Sequence, residues 1–337
     1  MKISKEAVRN RIQHLLKEIE ETDVSKLPDH YFQKTSSDTY AFMALAYLKI
    51  GDINGGTRYI EQLEKRRIIK GQWSGWGLNS EHNIDGVKLE KDTIYTYTTN
   101  YAIRAYLKAY EVVENPVYLQ RAKDWVITMD AYIGLHENGM LRYNDNKGLE
   151  YYVPNVSASA IGVLANLYKI EKSREYKNFA SHLFQTMMES EKESNWSYPD
   201  GRREDAFHMG MILEGLYYGE KEFGFEYGSE RFIEQMSSLT FNPRVDYSKV
   251  IRLNKSECYK LVRKIIRVGR LYDIGSIGWG PSLVFLALNA YDYDKSDRER
   301  LADYMVKANN PNIRVKALFA WALSDIIDRN PADLGVK

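Results

Sequence analysis

Apolar residues recur along most of the chain at the spacing of α-helices. Tyr40 to Ile50, Tyr101 to Val113, Ala158 to Ile170 and Phe207 to Tyr218 are each about three turns long, with apolar or small residues on most faces. Helices this apolar require burial on nearly every side. Each is followed by a short polar break and then by a stretch with one apolar and one charged face: Gly56 to Arg66, Pro116 to Met129, Glu175 to Glu189 and Ser229 to Ser237. These are expected to shield the buried helices from solvent.

The pairing repeats. Asn100, Asn155 and Asp205, near the starts of three buried helices, stand about 50 to 55 residues apart, and Tyr40 precedes the first by about 60. A fifth unit begins near Trp279, and the two-helix pattern continues through 292–303 and 315–327. Open solenoids of helix pairs repeat every 34 to 47 residues or so and turn tightly. Here long loops rich in Gly, Trp and Tyr precede the buried helices instead, at 71–86, 134–155, 193–208 and 270–280. Each loop ends in a polar residue suited to capping the helix that follows. The pattern favours a closed ring in which these loops converge at one end of a central cavity. The expectation is an all-α chain forming a single domain over 1–337, with 1–35 an N-terminal helical extension packed on it.

Charge and composition narrow the function classes. Lys+Arg number 47 and Asp+Glu 46, a formal net charge of +1, so no global field attracts polyanions and no nucleic-acid partner is expected. The single cysteine, Cys258, excludes an internal disulfide and a thiolate zinc cage. Residues 1–21 alternate charged and apolar positions without the apolar core of a secretory signal. No run approaches the roughly 18 apolar residues of a spanning helix, which points to a cytoplasmic protein with no transmembrane segment. Tyr at 26, Trp at 6 and Phe at 11 suit a polar and aromatic cavity or a sugar-stacking surface.

The segments QWSGWG, NWSYPDG, TNYAIRAYLKAYEV, VPNVSASAIGVLANLY and DAFHMGMILEGLYY, at matching phase, resemble the (α/α) toroid proteins, in which inner helices line a barrel and outer helices surround it. The resemblance covers about residues 36 to 330. Within that group it is nearest to six-hairpin glycosidase-like proteins and to uncharacterised members found with polysaccharide-synthesis enzymes; toroidal uronate lyases and uronyl C5-epimerases share the shape more distantly. It implies an (α/α) toroid of five to six hairpins or so, and a glycan or glycoconjugate as substrate. The same fold serves terpenoid cyclases, but their DxDD and DDxxD acidic runs are absent here.

Candidate chemistry concentrates in 195–208, where Trp196, Tyr198, Asp200, Arg202, Arg203, Glu204, Asp205 and His208 stand close in sequence. Asp205 and His208 are three apart across a helix start, so one face can hold both. A carboxylate that fixes an imidazole tautomer yields a general acid or base near neutral pH. The alternative is that Asp205 only caps the helix. The second group is Tyr152, Val153, Pro154 and Asn155. In toroidal lyases of this architecture an amide neutralises a uronate carboxylate and Tyr or His removes the C5 proton, so the resemblance implies Asn155, His208 and Tyr152 in those roles. Asn100 repeats that placement at the preceding buried helix, in a binding role.

A hydrolase needs instead two facing carboxylates, for which Asp85, Glu90, Asp92, Glu150, Asp205 and Asp273 are candidates. Trp73, Trp76, Trp196 and Trp279, in glycine-containing loops, are candidate sugar-stacking platforms, or plugs between neighbouring hairpins. Residues 249–270 carry eight Lys/Arg against one Glu, a basic rim or a solvated helix face. No HxH or HExxH spacing occurs, so no metal site and no cofactor are expected. A lyase, epimerase or hydrolase acting on a uronate- or amino-sugar-containing glycan fits these features, as does a non-catalytic helical-repeat scaffold in polysaccharide assembly.

Overall fold

A computed structural model describes residues 4–22, 36–84, 86–149, 152–194, 206–240, 280–308 and 312–328. Among the described residues it contains twelve α-helices: α1 Lys5–Glu20, α2 Ser37–Lys49, α3 Ile53–Glu64, α4 Thr96–Val113, α5 Pro116–Thr128, α6 Pro154–Glu171, α7 Arg174–Ser194, α8 Ala206–Phe223, α9 Ser229–Thr240, α10 Gly280–Ala290, α11 Lys295–Lys307 and α12 Ile313–Asp328. Four short strands join them: β1 Ile68–Lys70, β2 Trp73–Gly75, β3 His82–Ile84 and β4 Val87–Leu89.

The helices sort into two layers, as their apolar patterns require. Helices α2, α4, α6, α8, α10 and α12 each touch the next in that order, and α12 returns to α2, so the inner ring closes. Helix α3 packs on α2 and α4, α5 on α4, α7 on α6, α9 on α8, and α11 on α10. Helix α1 lies along α12, burying Val8, Ile12, Leu15, Leu16 and Ile19. Close approach fixes the ring: a Cβ at Gly215 of α8 would lie 2.2 Å from the Ala158 carbonyl oxygen of α6.

The seam between α2 and α12 shows that the inner helices run parallel. Asp38 pairs with Arg314 near their N-termini, Phe42 stacks on Trp321 midway with ring centroids 5.3 Å apart, and Lys49 donates to Asp325 near their C-termini at 2.6 Å. Short turns therefore lie at one end, the base. Two of them close with a left-handed residue, Glu114 after α4 and Lys172 after α6, and Asn115 caps α5 by accepting from Val117 N–H.

The longer connections lie at the other end, the mouth. Strands β1 and β2 pair antiparallel, as do β3 and β4. Residues 129–133, a π-helical turn extending α5, lead into a second long loop. That loop is stitched to the first: Thr96 N–H donates to Tyr143, Ile94 N–H to Asp145, and Lys70 to Asp145. A small core of Leu78, Leu89, Tyr95 and Leu149 lies beneath the two loops, apart from the large core of the ring. No helix among the described residues is long and apolar enough to cross a membrane.

Candidate active site at the mouth of the ring

Because the inner helices are parallel, the first-turn residue of each arrives at the mouth. Helix α2 supplies Asp38, α4 Tyr97, α6 Asn155, α8 His208, α10 Ser282 and α12 Arg314. Asp38 is fully buried. Its Oδ1 accepts from Ser36 Oγ at 2.6 Å and its Oδ2 from Arg314 Nη2, so both carboxylate oxygens are taken. Burial pushes the Tyr97 hydroxyl up, opposed by Arg314 and reinforced by Asp38, which places Tyr97 beside that pair.

One turn deeper, Phe42, Tyr101 and Trp321 meet. Phe42 and Trp321 stack nearly parallel, and Tyr101 stands edge-on to both at 5.2 and 5.5 Å. Below them Arg104 of α4 reaches Glu214 of α8, with Nη1 donating to Oε2 at 2.6 Å and Nη2 to Oε1. Its guanidinium lies 5.3 Å from the Tyr101 ring, 5.2 Å from Tyr218 and 5.3 Å from Trp321. Burial alone would lower the Arg104 pKa, but Glu214 more than reverses that, so the cation is held firmly. Helices α4 and α8 are separated in the ring by α6, so this pair spans the interior and closes its floor.

Of the expected site residues, Asn155 and His208 come to the mouth. Asn155 is 4% exposed; its Nδ2 donates to the Met211 sulfur at 3.5 Å, while its Oδ1 has no partner. His208 is half-buried on the first turn of α8. Tyr152 is half-buried and sits edge-on to His136 at 5.6 Å, with its backbone bridged to Arg142. Its ring belongs to the second mouth loop. Asp205, Trp196, Tyr198, Arg202 and Trp279 lie outside the described residues, as do Asp85, Glu150, Asp273 and the basic stretch 249–270.

Two expectations are corrected. Trp76 is no platform: it is 1% exposed, its Nε1 donates to the Leu63 carbonyl at 2.7 Å, and its ring packs on Tyr106, so it plugs the seam between α3 and α4. Asn100 has no amide to offer a ligand. Its Nδ2 donates to Ser159 Oγ at 2.7 Å and its Oδ1 accepts from Trp125 Nε1 at 2.8 Å, inside the α4, α5 and α6 contact. Trp73 stays partly exposed, with one face stacked on Tyr132 at 5.7 Å. Among the described residues, no group of three or more His, Cys, Asp or Glu comes together to hold a metal ion.

Asp38, Arg104, Glu214 and Arg314 escaped the sequence reading. The signal was present: each is a charged residue inside a run otherwise apolar enough to be buried, as in DTYAFMALAYL and MILEGLYY. Two acids and two bases in such positions ask to be paired.

The architecture is matched in solved structures. This is the (α/α)6 toroid fold. The chain aligns over 95% of its length with 91% of a reducing-end xylose-releasing exo-oligoxylanase, at a TM-score of 0.60 and 11% identity. It aligns over 95% with 98% of a family 76 glycoside hydrolase, a mannosidase, from Bacteroides thetaiotaomicron, at 0.59 and 7%. An alpha-amylase from Clostridium perfringens matches over 86% of each chain, at 0.54 and 13%. No protein-family model matches the sequence, and no curated protein does.

Proposed function

We propose that the protein is a carbohydrate-active enzyme that takes a glycan at the mouth of the toroid. The observation that carries this reading is the layered mouth: polar first-turn residues from all six inner helices stand over an aromatic layer and a floor closed by an ion pair. A sugar ring presents hydroxyls at its edge and an apolar face, and that combination matches polar groups set over aromatic rings. The three solved toroids named above carry glycan-cleaving names, which supports cleavage as the reaction.

Hydrolysis is the leading reaction. It requires an acid and a second carboxylate or a base-activated water on the other side of the glycosidic bond. In this reading His208 serves as acid or base, oriented by Asp205 one turn earlier, and Asn155 binds a ring substituent. Trp196, Tyr198, Arg202 and Trp279 would hold neighbouring sugar units. Proton abstraction from a uronate or amino-sugar unit, as in a lyase or epimerase, uses the same parts with Asn155 facing the carboxylate. Polysaccharide biosynthesis in the cytoplasm is the accompanying cellular proposal.

A non-catalytic glycan-binding role is favoured by a specific observation: among the described residues, Asp38 and Glu214, the buried carboxylates of the inner helices, are both held by arginines. The two readings separate in one experiment. Wild type and His208→Ala are incubated with a panel of oligosaccharides, and binding and product masses are measured. Cleavage by wild type that His208→Ala abolishes while binding persists establishes the enzyme, and the mass change separates hydrolysis from elimination. Binding with no product from either protein overturns the catalytic reading.

A further inference from the structure

We infer that the Asp38–Arg314 pair is a specificity device that sets the mouth for uncharged glycans, by occupying the arginine that would otherwise seize an anionic sugar. The inference rests on the glycan-binding reading above and names the substrate class within it. Arg314 and Lys316 are the described Lys/Arg side chains in the first turns of the inner helices, and Lys316 reaches out to Glu18 of α1 at 3.3 Å, which leaves Arg314 as the cation beside Asp38. An unshielded arginine there would be a strong uronate or sulfate receptor, because its fork matches a carboxylate geometrically and a partly dry site strengthens the attraction. Arg314 is instead committed to the fully buried Asp38. A uronate that took Arg314 would leave Asp38 buried without its counter-charge and add a second negative group beside it, a costly exchange.

The same balance extends deeper and outward. Arg104 is matched by Glu214 at the floor, and Lys70 by the buried Asp145 carboxylate in the mouth loops, with Nζ 2.7 Å from Oδ2. On the inner helices the neutral Asn155 Oδ1 and Ser282 Oγ are left without a hydrogen-bond partner. The Met211 thioether can only accept, which turns the Asn155 amide so that its N–H meets the sulfur and its buried oxygen is left without a donor. A buried carbonyl oxygen without a partner needs a donor. A sugar hydroxyl provides one, whereas a carboxylate or sulfate provides only further acceptors and would be repelled.

The test uses the full chain and measured binding, by calorimetry, of neutral xylo-, manno- and malto-oligosaccharides against oligogalacturonate and oligomannuronate of equal length. Wild type is expected to bind a neutral oligosaccharide at least about ten-fold more tightly than either uronate, as a site with committed charges requires. That affinity is expected to change less than about two-fold between roughly 20 and 300 mM NaCl. Asp38→Asn, which releases Arg314, is expected to raise uronate affinity about ten-fold or more, with the gain lost at high salt and absent from Arg314→Gln. Uronate preference in wild type, or an Asp38→Asn protein that folds but keeps the wild-type ratio, overturns the inference. If Asp38→Asn does not fold, the wild-type preference and salt dependence decide it alone. Absence of binding to every oligosaccharide overturns this inference together with the functional reading beneath it, an outcome distinct from uronate preference.

Discussion

Arg104 and Glu214 are joined by two hydrogen bonds although their helices, α4 and α8, are not neighbours in the ring. The pair is buried, ringed by Tyr101, Tyr218 and Trp321, and ties together two helices that flank α6. Removing one partner leaves a charge in a dry site. Glu214→Gln or Arg104→Met is therefore expected to destabilise the fold by about 3–5 kcal/mol, and a paired Arg104→Met, Glu214→Leu protein to recover much of that loss. Urea denaturation of the two single variants and the double variant checks this; additive losses would mean the residues act independently.

Backbone contact between α6 and α8 yields a second expectation. Alanine at Gly215 would force a Cβ to within 2.2 Å of the Ala158 carbonyl oxygen, which is backbone and unable to step aside. Gly162, on the same contact, would meet nothing nearer than 3.6 Å. Gly215→Ala should cost more than about 2 kcal/mol, and Gly162→Ala should be neutral or slightly stabilising through helix propensity. Thermal melts of the two variants side by side provide the comparison.

The two asparagines at the starts of α4 and α6 should separate stability from binding. Asn100→Ala strands Trp125 Nε1 in the interior, removes the donor to Ser159 Oγ, and is expected to cost about 1–3 kcal/mol. Asn155→Ala gives up one weak bond to a thioether and removes an unpaired oxygen. Its melting temperature should stay close to wild type while its affinity for oligosaccharide falls, which paired melting and binding measurements would show.

Acid sensitivity has a locatable source. Burial by itself would raise the Glu64 carboxyl, but hydrogen bonds from Arg121 and Tyr106, with Arg67 close by, hold it below its usual 4.5. A carboxyl whose folded pKa is depressed stabilises fully above its ordinary pKa and loses that contribution as pH falls through the depressed value. Glu64→Gln should therefore flatten the loss of stability below about pH 4.5, read as urea midpoints from roughly pH 6 to 3. Glu220 runs the opposite way: burial raises its pKa, so its ionisation costs stability as pH rises. Glu220→Gln should raise the midpoint at neutral pH.

Sequence periodicity reached far into the fold because the toroid sorts its helices by burial. Inner helices such as α6 are apolar or small on most faces and outer ones such as α3 on one face only, so the two layers were readable residue by residue. The mouth was less so. Trp73 and Trp76 sit three apart in the same glycine-containing segment, yet one keeps a face near solvent and the other is sealed against Tyr106 and the Leu63 carbonyl. Nothing local separates them; the difference arises from α3, which supplies that carbonyl. Likewise Arg314 and Asp38 are 276 residues apart. Each was visible as a charge in an apolar run, and only ring closure says which answers which.

That separation also governs how the molecule is made. During synthesis α1 and α2 emerge well before α12, the helix that lies between them. Until it arrives, the apolar stripe of α1 and the Phe42 side of α2 have no covering partner. Contacts this distant in sequence form late and slowly, and an unfinished ring presents an adhesive helical edge throughout that interval. A second copy that offers its own α12 first would yield an interlocked dimer in place of a closed ring.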